Sequence, residues 1–335
     1  TAIEDGGWYP PPILGALGAV GAVASLVRLD ERRILDAFSL ALMQVTASGE
    51  AGLSPQSTVR GIRDAFAAHA AVRFLELAEA GIRGFDDPLG GRKGFLATYA
   101  GGRADAAALL DGLGERFRGA EVAFKPWPSC RGTHAFVDSV LRMRADVALD
   151  DVESVAVWGA PFVRTLAEPR AAKVAPTVPI DAKFSVPFTV AAALVDRAVT
   201  LDTYLPEALG RPELRAWADR VTVEVSEEFS GDGDFSAGRT ELRLRDGRVL
   251  SDTVLLPRGN PGMPLDDAEL TAKFVSCVRS GDPAPAPEEA HAVAARLLAF
   301  REVDSVREAL AGLFGAPRAA GAREEREEDA WTLSP

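Results

Sequence analysis

The chain has 335 residues, 47 % of them apolar and 26 % charged, enough for about two domains with buried cores, which excludes a disulfide-stapled miniature and wholesale disorder. With 37 Lys plus Arg against 49 Asp plus Glu, the net charge is −12, which repels phosphate backbones and argues against nucleic acid as a partner. Cys130 and Cys277 are the two cysteines; without CxxC spacing or paired histidines they suggest neither a zinc site nor a disulfide framework, and a reducing cytoplasm is the simplest compartment.

The sequence begins at Thr1 rather than Met, so a segment ahead of it is expected either to have been removed or to lie outside this sequence. After Pro10-Pro11-Pro12, the small and apolar residues Ile13 to Leu29 read as a tightly packed helix in which Gly15, Gly18 and Gly21 permit close approach. The apolar run Ile13 to Val27 is shorter than the ~20 residues of a membrane span, and Glu4 and Asp5 stand where a signal peptide would be basic, so no membrane is expected as a partner. Asp30 reads as the N-cap of a second helix, Glu31 to about Ala47, and Ser57 as the cap of a third running to about Ala80, with Gly81 as its stop. A short helix near Asp105 to Phe117 follows Gly101-Gly102.

The pattern changes at Glu121. Glu121 to Lys125 reads as a strand, Arg131 to about Arg144 as a helix and Val152 to Trp158 as an alternating strand. A helix at Phe184 to about Ala198 precedes strands at Val221 to Val225, Thr240 to Arg245 and Val249 to Val254, the last two joined by an Asp246-Gly247 hairpin turn. Helices return at Asp266 to about Ser280, Pro287 to Phe300 and Ser305 to Leu313. Ala316 to Pro335 reads as a solvated acidic tail.

Three histidines occur. His69, beside the apolar face of its helix, reads as a core or subsurface residue, and His291, behind Glu288 and Glu289, as surface. His134 closes the segment Phe124-Lys125-Pro126-Trp127-Pro128-Ser129-Cys130-Arg131-Gly132-Thr133-His134, where two prolines fix a rigid turn into a helix. Such a corner gathers side chains and free backbone N–H groups at one spot, as holding an anion requires, although a purely structural corner is the even alternative.

That segment resembles the Lys-Pro-aromatic-Pro-x-Cys-Arg-x-Thr-His element of the MmgE/PrpD family, which includes 2-methylcitrate dehydratase, cis-aconitate decarboxylase and iminodisuccinate epimerase. Ala182-Lys183-Phe184-Ser185-Val186-Pro187-Phe188 resembles the family's Ala-x-Phe-Ser-Leu-Pro-Tyr element, and Gly91-Arg92-Lys93-Gly94-Phe95 its glycine-bracketed segment. Gly7-Trp8-Tyr9-Pro10 stands at the family's Gly-aromatic-His-Pro helix start, and Pro264 to Phe274 matches its closing helix. The resemblance implies an α+β fold: an all-α helical domain from residues 1–120 and 263–315, a smaller inserted α+β lid at 121–262, and a tail at 316–335.

It further implies a lyase or isomerase that binds a small polycarboxylate without metal or cofactor, moves a proton at a carbon beside a carboxylate, and forms a homodimer. Lys125 aligns with the family's lid lysine, as carboxylate ligand or acid/base. Cys130 stands where some members carry a functional His. His134 matches the motif histidine, as a substrate ligand or an orienting group, and Arg131 is a carboxylate clamp flanked by Ser129 and Thr133. Two positions depart from the pattern: Tyr9 replaces the helix-start histidine, leaving a phenol that can only donate a proton or hydrogen bond, and Arg60 replaces a helical-domain lysine. The family also carries a long segment ahead of this point that adds an Asp and a His to the pocket. The resemblance therefore leaves two other readings open: one subunit of a divided enzyme completed by a separate N-terminal helical chain, or a non-catalytic, repurposed relative. The Ala-, Arg- and Gly-rich usage resembles that of a high-GC bacterium, where such relatives can serve secondary metabolism.

Overall fold

Pro10–Val27 forms helix α1, entered from an extended Tyr9 with Pro10 at its first position and closed by Arg28 in the left-handed region at φ 56°. Proline loses nothing at a helix start, where its missing N–H would have no partner. The computed structural model describes residues 2–54, 57–105, 107–230 and 236–310, and the chain divides after Gly262 into two units. In the first, α1 buries Ile13, Ala16, Val20 and Ala24 against α2 (Glu31–Gln44) and α3 (Arg63–Glu79). Ala37, Ala41, Ala67, Ala71 and Ala78 share this core with Phe74, Phe95 and Tyr99, and their short side chains let the helix backbones approach. By length and composition α1, at 18 residues and a mean hydropathy of 1.6, could cross a membrane, and 22 % of it is buried.

Asp30 caps α2 as expected, its carboxylate accepting from Arg33 N at 2.9 Å. One turn on, buried Asp36 pairs with Arg32 and accepts from Gly84 N at 2.8 Å, while Ser39 Oγ accepts from Phe85 N at 2.9 Å. These bonds tie the segment after α3 to the middle of α2.

Four expectations for this region fail. Ser57 makes no side-chain cap; a 3₁₀ turn, Thr58–Gly61, intervenes and α3 begins only at Arg63, because Gly61 and an Ile62 at φ −122° interrupt the helical path. Among the described residues no helix spans the stretch expected at Asp105 to Phe117: Gly112 and Gly114 adopt φ +66° and +84°, and the short turn Ala107–Leu109 forms there. Glu121 to Lys125 is no strand of the sheet: Glu121 closes the 3₁₀ turn Arg118–Glu121, the prolines that follow the segment cannot carry a ladder on, and Phe124 N donates to Gly259 O at 2.8 Å. His69 is exposed rather than buried, whereas His291 is at the surface, its Nδ1 2.7 Å from Pro287 O.

Beyond the corner come α4 (His134–Met143), β1 (Val152–Gly159), α5 (Val186–Asp196), α6 (Pro212–Ala218), β2 (Val221–Val225), β3 (Gly238–Leu244) and β4 (Val249–Val254). The sheet order is β2-β1-β3-β4, with β1 and β2 parallel and the other pairs antiparallel. Gly247 supplies the φ of +90° that the β3–β4 turn requires. Helix α4 packs on β3 and β4, and α5 on α4, α6 and β2. Every residue of α5 from Val186 to Leu194 is buried, as a stretch apolar but for Thr189 dictates. Ser185 caps α5 by accepting from Phe188 N at 3.1 Å while donating to Lys173 O at 2.6 Å.

The second unit holds α7 (Asp267–Arg279) and α8 (Pro287–Leu298). A full capping box opens α7, Asp266 accepting from Glu269 N and Glu269 from Asp266 N. Ser305 caps the turn Val306–Ala309; the remainder of the helix expected to reach Leu313, and the tail at Ala316 to Pro335, lie outside the described residues.

Candidate active site

The Lys125–Thr133 corner is fixed from both ends. At its start, Phe124 bonds to Gly259, whose φ is +86° and where a Cβ would stand 2.1 Å from Phe124 O. Only glycine allows that approach. At its end, Cys130 N donates to Lys183 O at 2.8 Å, Thr133 Oγ1 donates to Cys130 O at 2.8 Å, and the hydroxyls of Ser129 and Thr133 meet at 2.7 Å. Both hydroxyls belong to buried residues and are occupied by these internal bonds. Tyr204 lies against them, its hydroxyl 3.2 Å from Thr189 Oγ1, and burial pushes its phenol up to about 12.

His134 is 1 % exposed and stands edge-on to Trp127, ring centroids 5.2 Å apart. Burial above all, then the charges of Lys125 and Arg131, lower its imidazole to about 3. The ring is therefore neutral at pH 7 and has no charge to offer a carboxylate; its Nε2 is buried without a hydrogen-bond partner.

Three cations act on Cys130. Its buried thiol is pushed up by desolvation, against the opposing pull of Lys125, Arg60 and Lys173. Arg60 arrives from the turn ahead of α3, with its guanidinium carbon 3.9 Å from the centroid of the Phe184 ring. Lys173 Nζ donates to Phe184 O at 2.8 Å, and burial lowers this amine below the ordinary lysine range while Asp181 pulls it back up. The fold thus brings together Lys125, Cys130 and Arg60 from the expected set, and adds Lys173. Arg131, half-buried at the head of α4, reaches His134 electrostatically. One signal for Lys173 was available: among 37 cations only Lys93, Lys125, Lys173, Lys183 and Lys273 are lysines, and three of these fall between 125 and 183.

Tyr9 belongs to a different part of the unit. Its N donates to Ala47 O at 2.9 Å, its ring lies 5.1 Å from the Arg63 guanidinium carbon, and it lines a cavity of about 500 Å³ between α1 and α3. Among the described residues, no group of three or more His, Cys, Asp or Glu gathers as metal ligands would.

The MmgE/PrpD N-terminal domain matches residues 2–107 and the MmgE/PrpD C-terminal domain residues 127–297. The chain belongs to the MmgE/PrpD family. It is 24 % identical over 288 residues to the cis-aconitate decarboxylase-like protein oryM of Aspergillus oryzae, covering 80 % of this chain and 58 % of that protein. Against the Homo sapiens cis-aconitate decarboxylase it is 22 % identical over 273 residues, covering 80 % and 55 %, and against that of Aspergillus terreus 24 % over 274 residues, covering 76 % and 55 %. The chain therefore spans a little over half the length of these curated relatives. Within the MmgE/PrpD matches, the C-terminal one takes in Cys130, Arg131, His134 and Lys173, the N-terminal one Tyr9 and Arg60, and Lys125 falls just ahead of the C-terminal match.

Proposed function

We propose that this chain carries the cationic half of a lyase or isomerase site that takes a small polycarboxylate. The observation behind the reading is the convergence of Arg60, Lys125 and Lys173 on the Cys130 turn. Cations gathered this way favour a further anion beside Asp181, which already faces Lys173, and charge-assisted bonds to carboxylates are among the stronger available. The α+β segment then acts as a lid on the helical segment, Arg60 on Phe184 being one point where they meet.

The chemistry suited to such a site begins at the carbon beside a held carboxylate. When a proton or CO₂ leaves that carbon, the electron pair it leaves behind is spread into the neighbouring carboxylate, whose growing charge the fixed cations stabilise. Lys173, whose amine is lowered by desolvation, is suited to take or return the proton, and exposed Lys125 to hold a carboxylate. His134 and Cys130, both neutral at pH 7, position the corner rather than transfer charge. The names of the curated relatives favour decarboxylation of cis-aconitate or a near analogue over dehydration or epimerisation. As a second reading, a separate chain bringing further helices would add residues in the length of the relatives that this chain does not span.

The test is incubation with cis-aconitate and with 2-methylcitrate, following CO₂ release and the alkene absorbance, alongside binding of each acid by calorimetry. Binding that is lost in Lys173→Ala and Arg60→Ala is the expected result. A wild-type chain that binds neither acid and turns over neither overturns the reading.

A further inference from the structure

Asp138 lies on α4 one turn after His134, and its side chain is 13 % exposed. A carboxylate so far out of water needs partners, because desolvation favours its protonated form; burial does raise it above the ordinary aspartate range. Arg142 is one partner, its Nη1 3.3 Å from Asp138 Oδ2. Arg142 is also engaged by Asp252 on β4, its Nη2 and Nε lying 2.5 and 3.2 Å from Asp252 Oδ2. The ion pair between α4 and β4 is therefore complete without Asp138, whose charge Asp252 opposes.

A second contact of Asp138 is more specific. Its carboxylate accepts a hydrogen bond from the backbone N–H of Arg258, the second residue of a turn at 257–260. Asn260 N donates to Pro257 O at 3.2 Å, closing that turn, and Gly259 in its third place takes the positive φ, +86°, that a turn of this kind requires. Gly259 O in turn accepts from Phe124 N at 2.8 Å. Three hydrogen bonds thus lead from α4 through the turn to the residue before Lys125.

Lys125 depends on that path. The segment ahead of it joins no ladder, and its Val122 and Phe124 side chains are exposed, so packing contributes little to holding it. On the other side Pro126 fixes its own φ and confines Lys125 to extended backbone, and the corner beyond is pinned by Cys130 N on Lys183 O. A shift of the turn at 257–260 is transmitted to Lys125.

We propose that Asp138 is a positioning residue for the carboxylate site: by holding the turn at Arg258 it places Gly259 O, and hence sets where Lys125 meets the substrate. This rests on the reading of Lys125 as a carboxylate ligand and adds the residue that places it.

The experiment is calorimetric titration of the full chain with cis-aconitate, in a double-mutant cycle between positions 138 and 125. Lys125→Ala is expected to weaken binding about tenfold, Asp138→Ala to cause most of that loss, and the double variant to bind no worse than Lys125→Ala alone. Asp138→Asn keeps an oxygen that can accept from Arg258 N and is expected to bind like the wild type. Asp138→Glu keeps the charge but moves the oxygens by a methylene, and is expected to resemble Asp138→Ala. Circular dichroism establishes that each variant is folded; if Asp138→Ala does not fold, the order of the Asn and Glu variants decides. Equal affinities of wild type and Asp138→Ala, beside a weakened Lys125→Ala, overturn the positioning role alone. So does a full additive loss in the double variant, or a Glu variant that binds more tightly than Asn. Binding that Lys125→Ala does not weaken, or no binding by the wild type, overturns the carboxylate reading of Lys125 and the positioning role with it.

Discussion

Arg60 and Phe184 stack, the guanidinium carbon 3.9 Å from the ring centroid, and the carbonyl of the same phenylalanine accepts from Lys173 Nζ at 2.8 Å. A single residue thus holds two cations from distant parts of the sequence side by side. The planar guanidinium is suited to lie on an aromatic face while presenting its edge to a carboxylate, which an ammonium cannot do. Arg60→Ala is therefore expected to weaken polycarboxylate binding by about 10- to 100-fold, the equivalent of one charge-assisted hydrogen bond. Arg60→Lys should recover only part of that loss. Titration calorimetry of the three proteins checks it, and equal affinities for Lys and Arg at position 60 would refute the stacking argument.

Gly259 decides where Lys125 stands. Its φ of +86° and the 2.1 Å separation between a built Cβ and Phe124 O leave no room for a side chain. Gly259→Ala must displace the Phe124 backbone or break its bond to position 259. A strained backbone conformation of this kind costs about 1–3 kcal/mol. A lower midpoint in urea is expected together with weaker carboxylate binding, because the displaced segment carries Lys125; unchanged binding in a destabilised but folded variant would separate Lys125 from the site.

The two cysteines should differ sharply toward alkylating agents. Cys277 is exposed and Cys130 buried, and burial raises the Cys130 thiol despite three neighbouring cations. The thiolate is the reactive form, so a raised, buried thiol reacts slowly. Iodoacetamide at pH 8 is expected to label Cys277 first and Cys130 only after unfolding in urea, as read by peptide mass spectrometry. Rapid native labelling of Cys130 would mean that the cations outweigh desolvation.

Much of the local structure follows from short-range rules: Asp30 opens α2, Asp246-Gly247 turns β3 into β4, and the apolar run ahead of Arg197 becomes the buried α5. The corner at Lys125–His134 was legible because its prolines and polar residues adjoin in sequence. What failed depended on partners or on backbone sign. Glu121 to Lys125 has the composition of a strand but no ladder to join, and Gly112 and Gly114 took left-handed conformations that composition alone does not fix. Lys173 was missed because Arg60, which meets it across Phe184, lies far from it in sequence. His69 was misplaced because the Ala67, Ala71, Phe74 and Ala78 face of α3 turned inward, leaving the Phe66 side outward.

His134 contributes a pH dependence to the stability of the fold. Its folded-state value of about 3 lies below the ordinary 6.5, so between those limits the unfolded chain binds the proton and the folded chain does not. Stability linked to this group is fully present above pH 6.5, declines as pH falls, and is exhausted near pH 3; between pH 7 and 5 the loss is about 2 kcal/mol. His134→Gln keeps a neutral hydrogen-bonding side chain that does not titrate. It is expected to be somewhat less stable at pH 7, where the imidazole packs on Trp127, but to lose less between pH 7 and 5. Urea unfolding of both proteins at several pH values isolates the difference from the carboxylates they share. Parallel curves would show that the imidazole titrates in the folded chain as it does in the unfolded one, which would overturn its neutral, buried state below pH 6.5.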